Sequence, residues 1–397
     1  MGEKIIKKNK TNVLKTIDLN VEIWYKVNNK NEESDIMRFI HMADMHLDSP
    51  FESLASKPNL AKERRLEQRR VMKEIVEYIK KENIPYFFIA GDLYEQEYIK
   101  KSSIEYINNL FEQIPDTLIF ITPGNHDPYI KNSFYKQFTW SKNVHIFSEE
   151  LSILEFKDID IHGYGFNDFY MQNKYQNIEI KNKNKINILI THGSLDGGND
   201  ENKQYNPLAS SQLKQMDFDY IALGHIHKAS YNDYENQKIV YPGSTVSIGF
   251  DELGPRGIIE GNIDEVTKKL ELTFIKTSAK TFEEREIDIS ALNSEEALIE
   301  ELNSINLDDN KYYKIILVGK RNFDINISNI MSLIKPINII KVKNKTKTKY
   351  DIENIAKQIN LRGIFAKKIL EKIENATTEE EKEKLLNSFE IGMDVLK

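Results

Sequence analysis

The chain has 397 residues, of which 40% are hydrophobic and 29% charged; this is too long for one ordinary core and predicts two domains with appendages. It contains no cysteine, so disulfides and thiolate metal sites are excluded, and any metal would be held by His, Asp, Glu, Asn or carbonyl oxygen, a donor set suited to manganese, iron or magnesium and less exclusively to zinc. The net charge of −7 argues against indiscriminate polyanion binding and leaves any nucleic-acid contact to a local basic surface. No apolar run reaches the length of a membrane span and the first residues lack an apolar signal core, so the expectation is a cytoplasmic protein with no membrane partner.

Residues 1–36, rich in Lys and Asn, predict a disordered leader ahead of a first domain over 37–276. A strand over Arg38–Ala43 leads to Asp44 and His46. The spacing of Leu66, Met72, Ile75, Val76 and Ile79 then predicts a helix near Ala61–Glu82. Its other face carries Arg64, Arg65, Arg69 and Arg70 interspersed with Glu63, Glu67 and Glu74, the pattern of a solvated face. A second strand, Tyr86–Ala90, ends at Gly91 and Asp92. After a helix near Lys101–Gln113, a third ends at Gly124–Asp127 (GlyAsnHisAsp). Strands alternating with helices imply parallel pairing and an α/β class. Close-set strands from Val144 read as the second half of a layered β-sandwich. Further strands end at His192 and at Gly224–His227 (GlyHisIleHis), and the loop Gly193–Asp200 is expected near the site. Residues 282–289 read as a linker to a small α/β cap (277–350), and 351–397 as terminal helices over Ile352–Glu374 and Glu379–Leu396, the first broken at Gly363.

Five apolar strands thus stop at metal-binding side chains. In open α/β sheets the ligand site lies off the carboxyl ends of the strands, so these five can deliver their side chains to one place. Two divalent cations about 3.5–4 Å apart clamp a phosphoryl group and generate hydroxide from water, and holding them so close requires an anionic ligand between them. Asp44, His46, Asp92, Asn125, His192, His225 and His227 supply that mixture of carboxylate, imidazole and amide. Of eight histidines, five fall at strand exits within these motifs, while His41 and His162 sit inside strand patterns and read as core. Spacing alone does not settle the role of His126.

The order AspXaaHis, GlyAsp, GlyAsnHisAsp, HisGly, GlyHisXaaHis resembles the calcineurin-like metallophosphoesterase superfamily. Ile40–Phe51, Phe218–Lys228, Val240–Ser244 and Leu361–Phe365 are similar to its SbcD-type DNA-repair exonuclease branch, and within it to YhaO-type bacterial proteins. The resemblance implies a first metal on Asp44, His46, Asp92 and His227, and a second on Asp92, Asn125, His192 and His225, with Asp92 bridging. It also implies manganese as the preferred metal, and His126 as a non-ligand acting on the leaving oxygen, oriented by Asp127. DNA, an SbcC-like ATPase and a second copy of the chain would be its partners. The reaction implied is hydrolysis of phosphodiesters at DNA ends. A phosphoesterase of small nucleotides or metabolites and a DNA-end scaffold for an ATPase are the rival readings. One departure stands out: many such nucleases carry a His three residues after the bridging Asp, and here that position is Glu95, an anion expected to repel phosphate. AspArgGly, the mark of the protein-phosphatase branch, is lacking.

From Asn310 to Lys349 there are ten Lys or Arg and one acid, Asp324. Lys341, Lys343, Lys345, Lys347 and Lys349 alternate with other residues, so a strand here would place all five on one face, spaced about 6.6–6.8 Å, near the phosphate spacing of a nucleic-acid strand. They are the candidate DNA contacts; an aggregation-blocking edge strand would use the same pattern. Ile352, Ile355, Ala356 and Ile359, continued by Ile364, Phe365 and Ile369, form a stripe suited either to packing on the cap or to docking the ATPase.

Overall fold

A computed structural model describes residues 36–55, 57–175, 177–197, 205–230 and 237–396; the expected leader, except for Ile36, and the end of the 193–200 loop lie outside them. The chain divides into two units, 1–281 and 282–397.

In the first unit, β1 (Ile36–Met42), β2 (Tyr86–Ala90), β3 (Leu118–Thr122) and β4 (Val144–Ile146) pair in parallel, and β10 (Gly257–Asp264) and β11 (Leu270–Lys276) extend that sheet antiparallel beyond β1. The second sheet runs β5 (Ser152–Glu155), β6 (Ile159–Gly163), β7 (Ile186–His192), β8 (Tyr220–Gly224) and β9 (Ile239–Val240), parallel from β6 onward. The period of two sorts the side chains. Phe39, Phe88 and Phe120 face inward against Ile161, Ile188 and Tyr220 of the other sheet. Ile40, Phe87 and Ile119 face outward against α1 (Pro58–Glu82) and α2 (Lys101–Phe111). Leu189 and Ile221 face outward on the second sheet, against Leu213 of α4 (Ser210–Gln215). Strands buried on both faces need apolar residues at every position, which explains their unbroken hydrophobic runs. The layered β-sandwich flanked by helices is the observed fold. β4 and β10–β11 join the first sheet, a partition that strand-by-strand reading does not reveal. A short α3 (Phe134–Gln137) follows β3.

Pro58 opens α1 and Asn83, in left-handed conformation, closes it, with Lys80 and Lys81 in its last turn complementing the helix dipole. Its arginine face is not simply solvated. Arg64 is fully buried; it pairs with Glu67 and donates to the carbonyls of Ser247 (2.6 Å) and Lys280 (3.1 Å). Arg69 donates to Asp48 and to Ser103.

In the second unit, β12 (Thr281–Asp288), β13 (Lys311–Val318) and β15 (Ile339–Asn344) form a sheet. Leu298 and Leu302 of α5 (Glu295–Ser304) and Ile330 of α6 (Ile327–Leu333) pack on Tyr313, Ile315, Leu317 and Ile339. The expected linker is therefore a strand. β14 (Lys320–Arg321) pairs with β16 (Lys347–Thr348), so the lysine run is two strands, interrupted where Asn344 Oδ1 accepts from Thr346 N (2.9 Å). The ladder resumes beyond the interruption: the amides of Lys345, Lys347 and Lys349 donate to the carbonyls of Leu317, Gly319 and Arg321. All five lysines are exposed while Val342 is buried.

The terminal segment folds as α7 (Ile352–Ala356), α8 (Leu361–Glu374) and α9 (Glu379–Val395). The helix break falls at 357–360, not at Gly363, because Asn360 caps α8 by accepting from Gly363 N (2.9 Å). Gly363 lies where a Cβ would overlap the Gln358 carbonyl, which accounts for glycine inside the helix. Ala366 and Ile369 pack on Phe389 and Met393, with Ile352, Ile355 and Ala356 beside them, so most of the apolar stripe is used within these helices. Among the described residues no helix is long and apolar enough to cross a membrane.

Candidate metal centre

The five strand ends meet. Asp44 and His46 leave β1, Asp92 leaves β2, Asn125 and His126 follow β3, His192 ends β7, and His225 and His227 follow β8. Asp44, His46, Asp92 and His225 all have positive φ (52°, 48°, 51° and 108°), a costly conformation for non-glycine residues and one that concentrates at functional sites. Gly91, at φ +85°, has no room for a Cβ, which would overlap the His192 imidazole.

Asp92 is central. Its Oδ2 lies 3.7 Å from His46 Nε2 and 3.2 Å from His192 Nε2, and its Oδ1 accepts from the His126 amide (2.8 Å). On one side His46 Nε2 and His227 Nε2 are 3.0 Å apart, and Asp44 Oδ1 is 4.0 Å from His227 Nε2. On the other, Asn125 Oδ1 lies 3.1 Å from both His192 Nε2 and His225 Nδ1. All seven expected ligands therefore converge. Asp44, His46 and His227, and likewise Asp44, Asp92 and His192, are close enough for each trio to hold one cation.

The opposite ring nitrogens test whether a metal fits. His46 Nδ1 bonds Glu95 (2.8 Å), His192 Nδ1 bonds the Ala90 carbonyl (2.8 Å), and His227 Nδ1 bonds Glu252 (2.6 Å). A carboxylate or carbonyl on one nitrogen fixes the tautomer that leaves the other nitrogen's lone pair aimed inward, the arrangement typical of metal-ligating histidine. Charge points the same way. Burial opposes ionisation of Asp92, yet the His192 and His126 imidazoles hold its carboxyl well below the usual range. Burial likewise opposes charge on His192 and His227, but Asp92 for the first, and Glu252 with Asp44 for the second, raise each to about 9. The cluster is built to surround positive charge, and its residues fit divalent cations.

Two carboxylates escaped sequence reasoning. Glu252 is buried, accepts from His227 and also from Ser244 Oγ (2.6 Å), and sits in no metal-type motif. Glu95 is the residue expected to repel phosphate; instead both its oxygens are engaged, Oε1 with His46 Nδ1 and Oε2 with His126 Nδ1 (2.9 Å). Burial pushes Glu95 up, but the two imidazoles draw its carboxyl down to about 2. Asp127 differs from expectation. Fully buried, it accepts from the amides of Asp92 (3.1 Å), Leu93 (2.6 Å) and Gly124 (2.6 Å) and from the Tyr135 hydroxyl (2.6 Å), so it braces the loops that carry the expected ligands Asp92 and Asn125. The carboxylate hydrogen-bonded to the His126 ring is that of Glu95. His126, its side chain 45% exposed, opens onto a cleft of about 560 Å³. The lysines Lys341–Lys349 belong to the second unit and are not among these groups.

The profile of the calcineurin-like phosphoesterases matches residues 37–229, the span that holds every one of the expected ligands. Residues 37–229 are a calcineurin-like phosphoesterase domain. The chain is similar to the uncharacterized metallophosphoesterase YhaO of Bacillus subtilis (strain 168), 28% identical over 233 residues covering 56% of each chain. It is also similar to the SbcD subunit of the SbcCD nuclease in two staphylococci. That of Staphylococcus epidermidis is 26% identical over 251 residues (55% of this chain, 63% of that one), and that of Staphylococcus saprophyticus 27% over 315 residues (70% and 78%). For the first two relatives the match spans less than two thirds of their length. The phosphoesterase domain thus has homologues among metallophosphoesterases and nuclease subunits, and its family uses divalent metals.

Proposed function

We propose that the phosphoesterase domain is a two-cation phosphodiesterase acting on DNA ends, a repair exonuclease subunit that uses manganese. One observation carries the reading: a single carboxylate oxygen, Asp92 Oδ2, lies within 4 Å of both His46 Nε2 and His192 Nε2, one imidazole from each expected ligand set. The first cation would be held by Asp44, His46, Asp92 and His227, the second by Asp92, Asn125, His192 and His225. Together they would supply Lewis acidity at the phosphoryl oxygens and a nucleophile at neutral pH. The remaining steps belong to the chain. His126, which lines the cleft and has Nδ1 on Glu95, delivers a proton from Nε2 to the leaving sugar oxygen. Asp127 holds the turn that sets the position of His126.

Similarity to nuclease subunits supports DNA as substrate. The partner that fits it is an SbcC-like ATPase, docked on exposed residues of the terminal segment such as Ile359 in the break and Leu361 and Ile364 of α8, with a homodimer as the assembled form. The five exposed lysines of the second unit would contact DNA backbone. A second reading, hydrolysis of a small nucleotide or other phosphodiester, is favoured by the cleft itself: among the described residues that line it, none is Lys or Arg.

Digestion of end-labelled duplex and single-stranded DNA in manganese tests the proposal. Wild type is expected to shorten the strand and Asp92→Asn to abolish shortening. Phosphate release from mononucleotides with labelled DNA left intact would overturn the exonuclease reading and leave the small-substrate one.

A further inference from the structure

We propose that the mouth of the cleft is a stacking slot for one unpaired nucleobase, so that the substrate is a single-stranded or frayed end; this deepens the phosphodiesterase reading and rests on it. Three of the large side chains left exposed on this unit, Tyr98 (48%), Phe169 (37%) and Tyr170 (58%), line this one cleft. They come from different loops, Tyr98 after β2 and the other two after β6, yet converge beside Asn125 and His126. Rings then continue inward. Tyr170 lies 5.7 Å from Tyr205 at 39°, and Tyr205 lies 5.2 Å from His225 at 33°. His225 in turn reaches Asn125 at 3.1 Å. Flat surfaces therefore lead from solvent to the metal ligands.

Aromatic faces hold bases of any identity, because every base presents a π face. The charge of the mouth excludes the other common arrangement. Glu52, Glu97 and Asp251 line it and, among the described lining residues, no Lys or Arg does, so a run of phosphates laid along it would meet carboxylates. One base turned out of its stack meets rings instead. Unstacking costs least where the strand is already single or frayed. The cleft volume of about 560 Å³ suits one nucleotide; small-molecule sites span roughly 300–1,000 Å³.

The test compares a five-residue thymidine oligonucleotide with one of equal length and charge carrying abasic residues at both ends, each fluorescently labelled, in manganese. Wild type is expected to favour the thymidine oligomer in kcat/KM by about tenfold or more. Tyr170→Ala should bring that ratio to near one, and Tyr170→Phe, which keeps the ring, should preserve it. Equal rates of wild type on the two oligomers, or a ratio unchanged in Tyr170→Ala, would overturn the slot. If wild type cuts neither oligomer, the phosphodiesterase reading fails, and the slot is judged by anisotropy with the same probes. A thymidine preference lost in Tyr170→Ala then supports it, and equal binding overturns it.

Discussion

At the scale of single residues, Glu95 is the most informative group in the site. A carboxylate offers two acceptors, and here each takes the Nδ1 proton of a different imidazole, so one side chain sets the tautomers of His46 and His126 together. Glutamine would offer one acceptor and one donor. The buried His46 holds its position, whereas the half-exposed His126 can turn. In Glu95→Gln the amide oxygen is therefore expected to stay on His46, leaving His126 against an N–H that it can meet only with an unprotonated Nδ1. Both cations should be retained while turnover falls about 100-fold, within the usual range for lost acid–base assistance. Metal content measured beside steady-state rate decides this. Metal lost in proportion to rate would make Glu95 a support for the cation sites alone.

Among the elements, α1 does more than cover the first sheet. Its Arg64, paired with Glu67 one turn along the same helix, donates to the carbonyls of Ser247 and Lys280 and so joins the helix to segments far along the chain. Glu67 keeps Arg70 and the Lys280 amide when Arg64 is removed, but the carbonyls of Ser247 and Lys280 lose their donor, so Arg64→Ala should cost about 1–3 kcal/mol for each acceptor left unsatisfied. Denaturant unfolding of the purified variant measures it, and a cost under about 1 kcal/mol, the range of exposed pairs, would show that Arg64 is not structurally required. The strands carry a second sensitivity. Burial pushes His41 in β1 down to about 3 and His145 in β4 to about 4. Above pH 6.5 folded and unfolded chains both keep these groups neutral. Between that pH and the folded values, the unfolded chain binds protons that the folded chain refuses, so stability falls as pH falls, by up to about 1.4 kcal/mol per unit for each histidine. His145→Gln should narrow the difference between unfolding midpoints at pH 7.5 and pH 5. An unchanged difference would remove His145 from the account.

For the whole molecule, the contrast between its two units matters most. The cleft of the first is acidic and aromatic. In the second, Lys311, Lys314 and Lys320 pair with Glu283, Glu284 and Glu390, while among the described residues no ion pair engages Lys341, Lys343, Lys345, Lys347 or Lys349. If those five hold DNA backbone, replacing Lys343, Lys345 and Lys347 by Gln should weaken binding at every sequence alike. It should also flatten the plot of log affinity against log salt by about 0.9 for each phosphate no longer neutralised. Titration of a labelled duplex at several salt concentrations tests this, and an unaltered slope would return these lysines to the role of a charged sheet edge.

Local patterns in the chain were enough to identify the strands, their carboxyl ends and the seven ligand types waiting there. An apolar run, a loop residue and a metal-binding side chain are adjacent in sequence and need no knowledge of distant contacts. Helix α1 and the alternation of the lysines were legible for the same reason, since periodicity is a local property. What required the fold was whatever depends on which segments meet. Glu95 and Glu252 have no motif of their own, and become supports of His46 and His227 only when separate loops close on one another. Asp127 stands next to His126 in the chain, yet its carboxylate turns to backbone amides 34 and 35 residues away. Arg64 looks like one arginine in a solvated row until Ser247 and Lys280 are packed over it. Hydrogen-bond partners remote in sequence are chosen by tertiary packing, and composition and period carry no record of that choice.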